Sequence, residues 1–337
     1  MSRESRDSSL RELMEGRGIG ALLLRRPANF AWYTGGADNR VDHGDPFGVA
    51  EILLTPQTSY VLTNSIEAPR MREEQTPGME VVEHPWYEEP DALLRELAGG
   101  SIIGTDFPSG SGPDLSAEIS PLRHVLDGDA IEGYRLLGAD AALAVSEVAS
   151  SLSPETGELE AAAELSAACL RRGMFTPVLM AASEERLVSY RHPVPHGGPL
   201  GKQAMIVACA ERGGLFANLT RMIYFEDPDP ETIRRQEACE EVMRRMREEA
   251  TRPGRTLAQA FGDCRRFYAE AGFSEGWKDH HQGGMTGYAS REIIATPGAH
   301  QEIIEGQAFA WNPSLRGAKA EETFVLGPAG PEVLTRL

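Results

Sequence analysis

A change of texture near residue 128 constrains this chain more than any single motif. Ahead of it, short apolar runs bounded by turn residues alternate with helix-like stretches. Gly20–Leu24, Glu51–Leu54, Tyr60–Thr63, Glu80–Val82 and Ile102–Gly104 read as strands, and Leu10–Gly16 and Glu89–Leu97 as helices. Beyond it, Ile131–Leu152 is rich in Ala and Leu at helical spacing. Thr156 stands where a cap would open a second helix through Arg172, with Glu158 and Glu160 near its positive end. Asp229 before Pro230 marks a third helix start, followed by Glu240–Arg244 and Glu241–Arg245 at i,i+4 spacing. Thr256 and Gln259 form a capping box for a fourth helix, which Gly272 stops. Val178–Ala182, Met205–Ala210, Leu215–Phe225, Ala308–Asn312 and Thr323–Leu326 read as strands, and Phe107–Pro113 and His192–Gly201 as loops. The pattern predicts a small α/β domain over residues 1–128 and a larger domain over 129–337, α/β (α+β) in class.

Charge and composition narrow the partners. A net charge of −18 repels phosphate backbones and anionic bilayers, so neither nucleic acid nor a membrane is expected as a partner. No apolar run is long enough to span a bilayer, and the charged start lacks the apolar core of a secretory signal, so a cytoplasmic protein is expected. Cys169, Cys209, Cys239 and Cys264 are widely spaced, with no CxxC pair, and read as small buried hydrophobes rather than a metal or redox site.

The stretch His280–Glu292 (HHQGGMTGYASRE) concentrates histidine, glycine, arginine and glutamate and reads as a catalytic or metal-site loop. Adjacent histidines usually diverge, so His280 and His281 are not expected to act on one centre. A new metal site built from His280, His281 and Glu292 stays open.

Five motifs in order are similar to those of the pita-bread superfamily that includes aminopeptidase P, methionine aminopeptidase and creatinase. Tyr190–Pro193 (YRHP) resembles its histidine loop, Ala217–Arg221 (ANLTR) its D-(I/L)-T-R strand, and Gly283–Gly287 (GGMTG) its G-H-x-x-G segment. Trp311–Pro313 (WNP) stands where the peptidases carry Glu-Pro, and Ala320–Thr323 (AEET) resembles their I-E-D-T ending. Asn29–Gly36 (NFAWYTGG) resembles a segment of the creatinase-type N-terminal domain. The resemblance implies a creatinase-type N-terminal domain followed by a pita-bread domain.

The superfamily's peptidases hold two divalent ions with two Asp, one His and two Glu. Carried over, those positions are Val207, Asn218, Gly284, Asn312 and Glu321, with Val207 and Asn218 keeping the family's spacing of eleven. One carboxylate and two amides cannot hold a dinuclear centre against water, so no catalytic metal and no other cofactor is expected. The resemblance to metal-free creatinase then implies His192 as the general base and acid, with His280 and Glu321 beside it. It implies Arg291 as the grip on a substrate carboxylate, eleven residues after His280. Arg40 is a second candidate anchor, supplied across a homodimer. Asn218, Thr220 and Asn312 would orient the reacting end by hydrogen bonds, with Tyr288 and Trp311 as apolar walls.

The expected function is metal-independent hydrolysis of a C–N bond in a small carboxylate-bearing substrate. Creatine itself is not expected to fit, because neutral Thr220 and Asn312 stand where its guanidinium would need carboxylates. Two alternatives stay open: an inactive pseudo-peptidase that binds a peptide or protein, and a lyase or isomerase using the same proton shuttle. Their discriminator is geometric, namely whether His192 and Arg291 point into one cavity.

Overall fold

A computed structural model describes residues 3–110 and 112–336, and divides the chain into two compact units, Met1–His124 and Val125–Leu337. The fold is the α/β combination of a creatinase-type N-terminal domain and a pita-bread domain. Ser111, within the Phe107–Pro113 segment, lies outside the described residues.

In the first unit the apolar runs form one five-stranded sheet. Its strands are β1 (Ala21–Leu24), β2 (Ala50–Leu54), β3 (Ser59–Asn64), β4 (Glu80–His84) and β5 (Ile103–Thr105), ordered β4-β3-β2-β1-β5. β1 and β2 are antiparallel, whereas β1–β5 and β3–β4 are parallel. The NFAWYTGG segment is mostly helix: Pro27–Thr34 begins with proline at its first turn and ends on Gly35 in the left-handed region. Its residues Phe30, Ala31, Trp32 and Tyr33 are all buried, so its aromatic content is core packing.

The second unit opens with the helix Gly128–Ser151, capped by Asp127, whose carboxylate accepts from Ala130 N–H. The next helix, Glu158–Leu170, starts at Gly157 rather than Thr156. Thr156 is turned away, its Oγ1 accepting from Ser153 N–H at 3.0 Å. Glu158, read from sequence as a dipole partner at a helix start, is fully buried. Its carboxylate pairs with Arg186 and accepts from the backbone N–H of Ser183 (2.8 Å) and His196 (3.1 Å). It thus ties down both ends of the segment that carries His192.

Three long strands follow: β6 (Phe175–Ser183), β7 (Gln203–Arg212) and β8 (Leu215–Tyr224) form an antiparallel sheet. A second antiparallel sheet has the order β10-β9-β11-β14-β15, from β9 (Gly283–Thr286), β10 (Ile293–Ile294), β11 (Ala308–Trp311), β14 (Glu322–Gly327) and β15 (Gly330–Val333). Between β11 and β14, β12 (Ser314–Leu315) and β13 (Ala318–Lys319) form a short hairpin. The two larger sheets are joined where β8 meets the strand end carrying Glu321: Thr220 N–H donates to Glu321 O, and Asn218 N–H to Thr323 Oγ1.

The helices Pro230–Arg245 and Leu257–Glu270 start as their caps dictate, on Asp229 and on the Thr256–Gln259 box. Their arginines keep i,i+4 pairs but with other partners than the expected Glu240–Arg244 and Glu241–Arg245. Arg244 pairs with Glu241 and Glu248, and Arg245 with Glu249 and Glu270. Several carboxylates lie within reach of each arginine, and spacing along one helix cannot choose among them. The four cysteines are free and buried. Among the described residues no helix is long and apolar enough to cross a membrane.

Candidate functional site

Gly283 and Gly284, read as part of a loop, lie in β9, between β10 and β11. Gly284 has φ 152°, and a Cβ there would come within 2.1 Å of Ile293 O. The same addition at Gly283 would approach Ala310 O to 2.1 Å. The neighbouring backbones close over these positions, so a side chain at 284 requires the sheet to move.

Beside this strand a cavity of about 490 Å³ opens within the second unit. His192, His281, Arg291, Asn312, Lys319 and Glu321 supply its polar lining. Val178, Met180, Val194 and Val207 supply apolar wall. His192 and Arg291 therefore do reach one cavity.

Glu321 anchors the charge arrangement. It is 5% exposed. Its Oε2 lies 2.9 Å from Lys319 Nζ and accepts from Thr220 Oγ1 at 2.8 Å. Its Oε1 lies 2.9 Å from Arg291 Nη2. Burial pushes the Glu321 carboxyl up, but the charges of Lys319 and Arg291, with hydrogen bonds from Lys319 and Thr220, outweigh it and hold the group at about 2. Two cations and one anion leave the triplet with one net positive charge. Arg291 Nε and Asn312 Oδ1 are buried without a hydrogen-bond partner, in two residues that line this cavity.

The histidines form a second cluster at its rim. His192 Nε2 and His280 Nε2 are 2.9 Å apart, and the His280 and His281 rings lie side by side with centroids 4.3 Å apart. This corrects the expectation that adjacent histidines diverge. His280 Nδ1 bonds to the carbonyl oxygen of His281, which folds its ring back over its neighbour. Burial, then the positive charges nearby, lowers His280 to about 3 and His281 to about 4; burial and Lys319 also lower His192. Cys209 lines the cavity, but burial and the Glu321 charge push its thiol up to about 12, which rules it out as a thiolate nucleophile at neutral pH.

These shifts set the sign of an acid response. The unfolded histidines take up protons near pH 6.5, whereas folded His280 and His281 resist until about 3 and 4 respectively. Below pH 6.5 the unfolded chain binds more protons, so stability is present above that value and is lost as pH falls toward 3. Glu321, held at about 2 against an ordinary 4.5, adds a loss below pH 4.5. The urea midpoint in chelator-treated buffer is expected to fall from pH 7.5 to 5 and further to 4; a midpoint flat from 7.5 to 5 would contradict the histidine assignment.

The other sequence candidates are distributed differently. Thr220 spends its hydroxyl on Glu321 rather than facing the cavity. Asn218 is fully buried off the cavity, its Nδ2 donating to Thr286 Oγ1 at 3.2 Å. Tyr288 and Trp311 are core, not cavity wall, and Trp311 Nε1 donates to Thr251 Oγ1. Arg40 lies in the first unit, paired with Asp38 at 2.8 Å, and does not line this cavity. Glu292 is not part of the histidine cluster; His192 takes the place expected for it.

Two features escaped sequence reasoning: Lys319, 6% exposed, and the grouping of His281 with His192. Lys319 carried a readable signal. It stands two residues before Glu321, and along an extended chain that spacing puts both side chains on one face.

No curated protein matches the chain in sequence. Solved structures do match its fold. The prolidase from Pyrococcus horikoshii OT3 is 19% identical, with 98% of each chain covered and a TM-score of 0.83. The Xaa-Pro dipeptidase from Bacillus anthracis is 17% identical, covering 100% of this chain and 98% of that one, with a TM-score of 0.82. Aminopeptidase P from E. coli is 15% identical over 99% and 95%, with a TM-score of 0.73. The model of the creatinase/prolidase N-terminal domain matches residues 6–111. The model of metallopeptidase family M24 matches residues 132–328, more than half of the chain, and to that family this protein belongs.

Proposed function

We propose that this member of a hydrolase family works without the family's metal pair and hydrolyses a C–N bond in a small molecule bearing a carboxylate. The observation that carries the reading is the Lys319–Glu321–Arg291 triplet on the cavity. The donor set does not fit two divalent cations. Val207 offers no ligating atom, and Gly284 has no room for a side chain. Asn218 and Asn312 are neutral. The one carboxylate is already matched by two cations, which a dication would have to displace.

The same charges suit an anion. A substrate carboxylate entering the cavity meets a net positive triplet and the unspent Nε–H of Arg291. Asn312 Oδ1 accepts from a substrate N–H. Neutral His192 takes a proton from water and returns it to the leaving nitrogen, with His280 accepting the other end of the Nε2···Nε2 contact. A shared cavity for His192 and Arg291 favours this enzyme reading over the binding module. A homodimer, with Arg40 as an anchor supplied by the second copy, belongs to the proposal; light scattering showing a monomer at micromolar concentration would remove that part.

The test is a substrate panel run with EDTA and with added manganese. N-acyl and N-carbamoyl amino acids are expected to be cleaved equally in both conditions, and creatine in neither, since its guanidinium would face Lys319 and Arg291. Manganese-dependent cleavage of Xaa-Pro dipeptides would overturn metal independence. Creatine turnover at an ordinary enzymatic rate would overturn the charge argument.

A further inference from the structure

We propose that His192, His280 and His281 together bind a single divalent transition-metal ion, of the zinc class, at a site separate from the five positions of the family's metal pair. One ring nitrogen from each lies within 4.8 Å of the other two. Tetrahedral zinc with Zn–N of about 2.0–2.1 Å spaces its ligand nitrogens roughly 3.3 Å apart. The His192–His280 pair, at 2.9 Å, has to open by a few tenths of an ångström, and His281 has to swing in from the far side. His192 is itself exposed, between half-buried Arg191 and buried Pro193, so its side chain has room to supply that movement.

The surroundings also prepare the nitrogens. The carbonyl oxygen of His281 accepts a hydrogen bond from His280 Nδ1–H, which puts the His280 lone pair on Nε2, facing His192. This is the backbone-carbonyl support that ligating histidines commonly have. His281 Nδ1 accepts only a long bond from Gly283 N–H, at 3.3 Å, so its tautomer is weakly held and can turn to a metal. With no carboxylate among the three donors, the set selects zinc, cobalt, nickel or copper over magnesium or calcium. The cavity leaves a fourth position open to water or to a substrate carboxylate. Lys319 and Arg291 stand close by and oppose the added charge, so micromolar rather than picomolar affinity is expected.

The metal would take the same lone pairs that the hydrolysis needs. It is therefore an inhibitor of that reaction rather than its cofactor, a consequence that rests on the proposed function, whereas binding itself does not.

The experiment titrates chelator-treated full-length protein with Zn²⁺ by calorimetry and with Co²⁺ by absorption. One equivalent per chain is expected, with cobalt bands of a four- or five-coordinate nitrogen–oxygen site. His192→Gln and His281→Gln should each weaken zinc binding by about 10–100-fold or more. Glu321→Gln should keep it within a few-fold. In the unmutated protein, zinc should protect the three imidazoles from acylation by diethyl pyrocarbonate, a readout that needs no variant to fold. No uptake at high-micromolar zinc, or no protection, would overturn the proposal. So would binding that survives both histidine changes and disappears in Glu321→Gln, because the ion would then sit at the family position. If zinc binds as described but leaves cleavage of the panel substrate untouched, the site stands and the role of His192 in hydrolysis falls.

Discussion

Replacing Glu321 by alanine is expected to cost about 3–5 kcal/mol of unfolding free energy, the range for removing one partner from a buried ion pair. Its carboxylate is 2.9 Å from both Lys319 Nζ and Arg291 Nη2, and 2.8 Å from Thr220 Oγ1. Without it buried Lys319 and half-buried Arg291 are left with no anion between them, and the buried Thr220 hydroxyl loses its acceptor. Folded domains are stable by only about 5–15 kcal/mol, so this is a large share of the total. Glu321→Gln keeps hydrogen-bonding atoms but not the charge, and should fall between wild type and alanine. Removing Lys319 at the same time, as Lys319→Met with Glu321→Gln, should recover part of the loss, because one of the stranded cations is gone. Urea unfolding followed by circular dichroism reads all four proteins. A loss below about 1 kcal/mol for Glu321→Ala would mean that solvent screens the triplet as it does a surface pair, and the charge argument for an anionic substrate would fail with it.

His192→Ala is expected to lower kcat on the panel substrate by roughly 10²–10⁴-fold, the usual contribution of a positioned general acid–base group, with KM little changed. His192 is exposed and its ring bonds to half-buried His280 at the rim, so its loss should spare the fold. Arg291→Ala should show the opposite split. Its loss weakens binding by about 2–5 kcal/mol, seen chiefly in KM, if the substrate carboxylate docks against it. The contrast separates proton transfer from anchoring. Undiminished kcat in His192→Ala would end its catalytic assignment, and an unchanged KM in Arg291→Ala would end the carboxylate grip.

Much of this protein is legible in its residues alone, because the relevant physics is local. Asp229 before Pro230 and Thr256 with Gln259 open helices wherever they stand, since each satisfies backbone N–H groups within its own first turn. The apolar runs became strands in nearly the places expected because alternation and turn residues act over a few positions. Even Lys319 was within reach, since the pairing of i and i+2 on one face of an extended chain brings it to Glu321.

Other features were decided only by packing across the chain. Thr156 lost the cap to Gly157 through a local turn, yet Glu158 became a buried anchor because distant Arg186, Ser183 and His196 converge on it. Tyr288 and Trp311 went to the core because neighbouring strands and helices cover them, which no spacing reveals. His280 and His281 share a site because one ring bonds back to the next carbonyl. Gly284 tells most. Sequence marks it as a missing histidine, whereas the sheet shows a backbone with no space for any side chain, 2.1 Å from Ile293 O. A residue type states which atoms are present; the distances among strands remote in sequence decide what those atoms can reach.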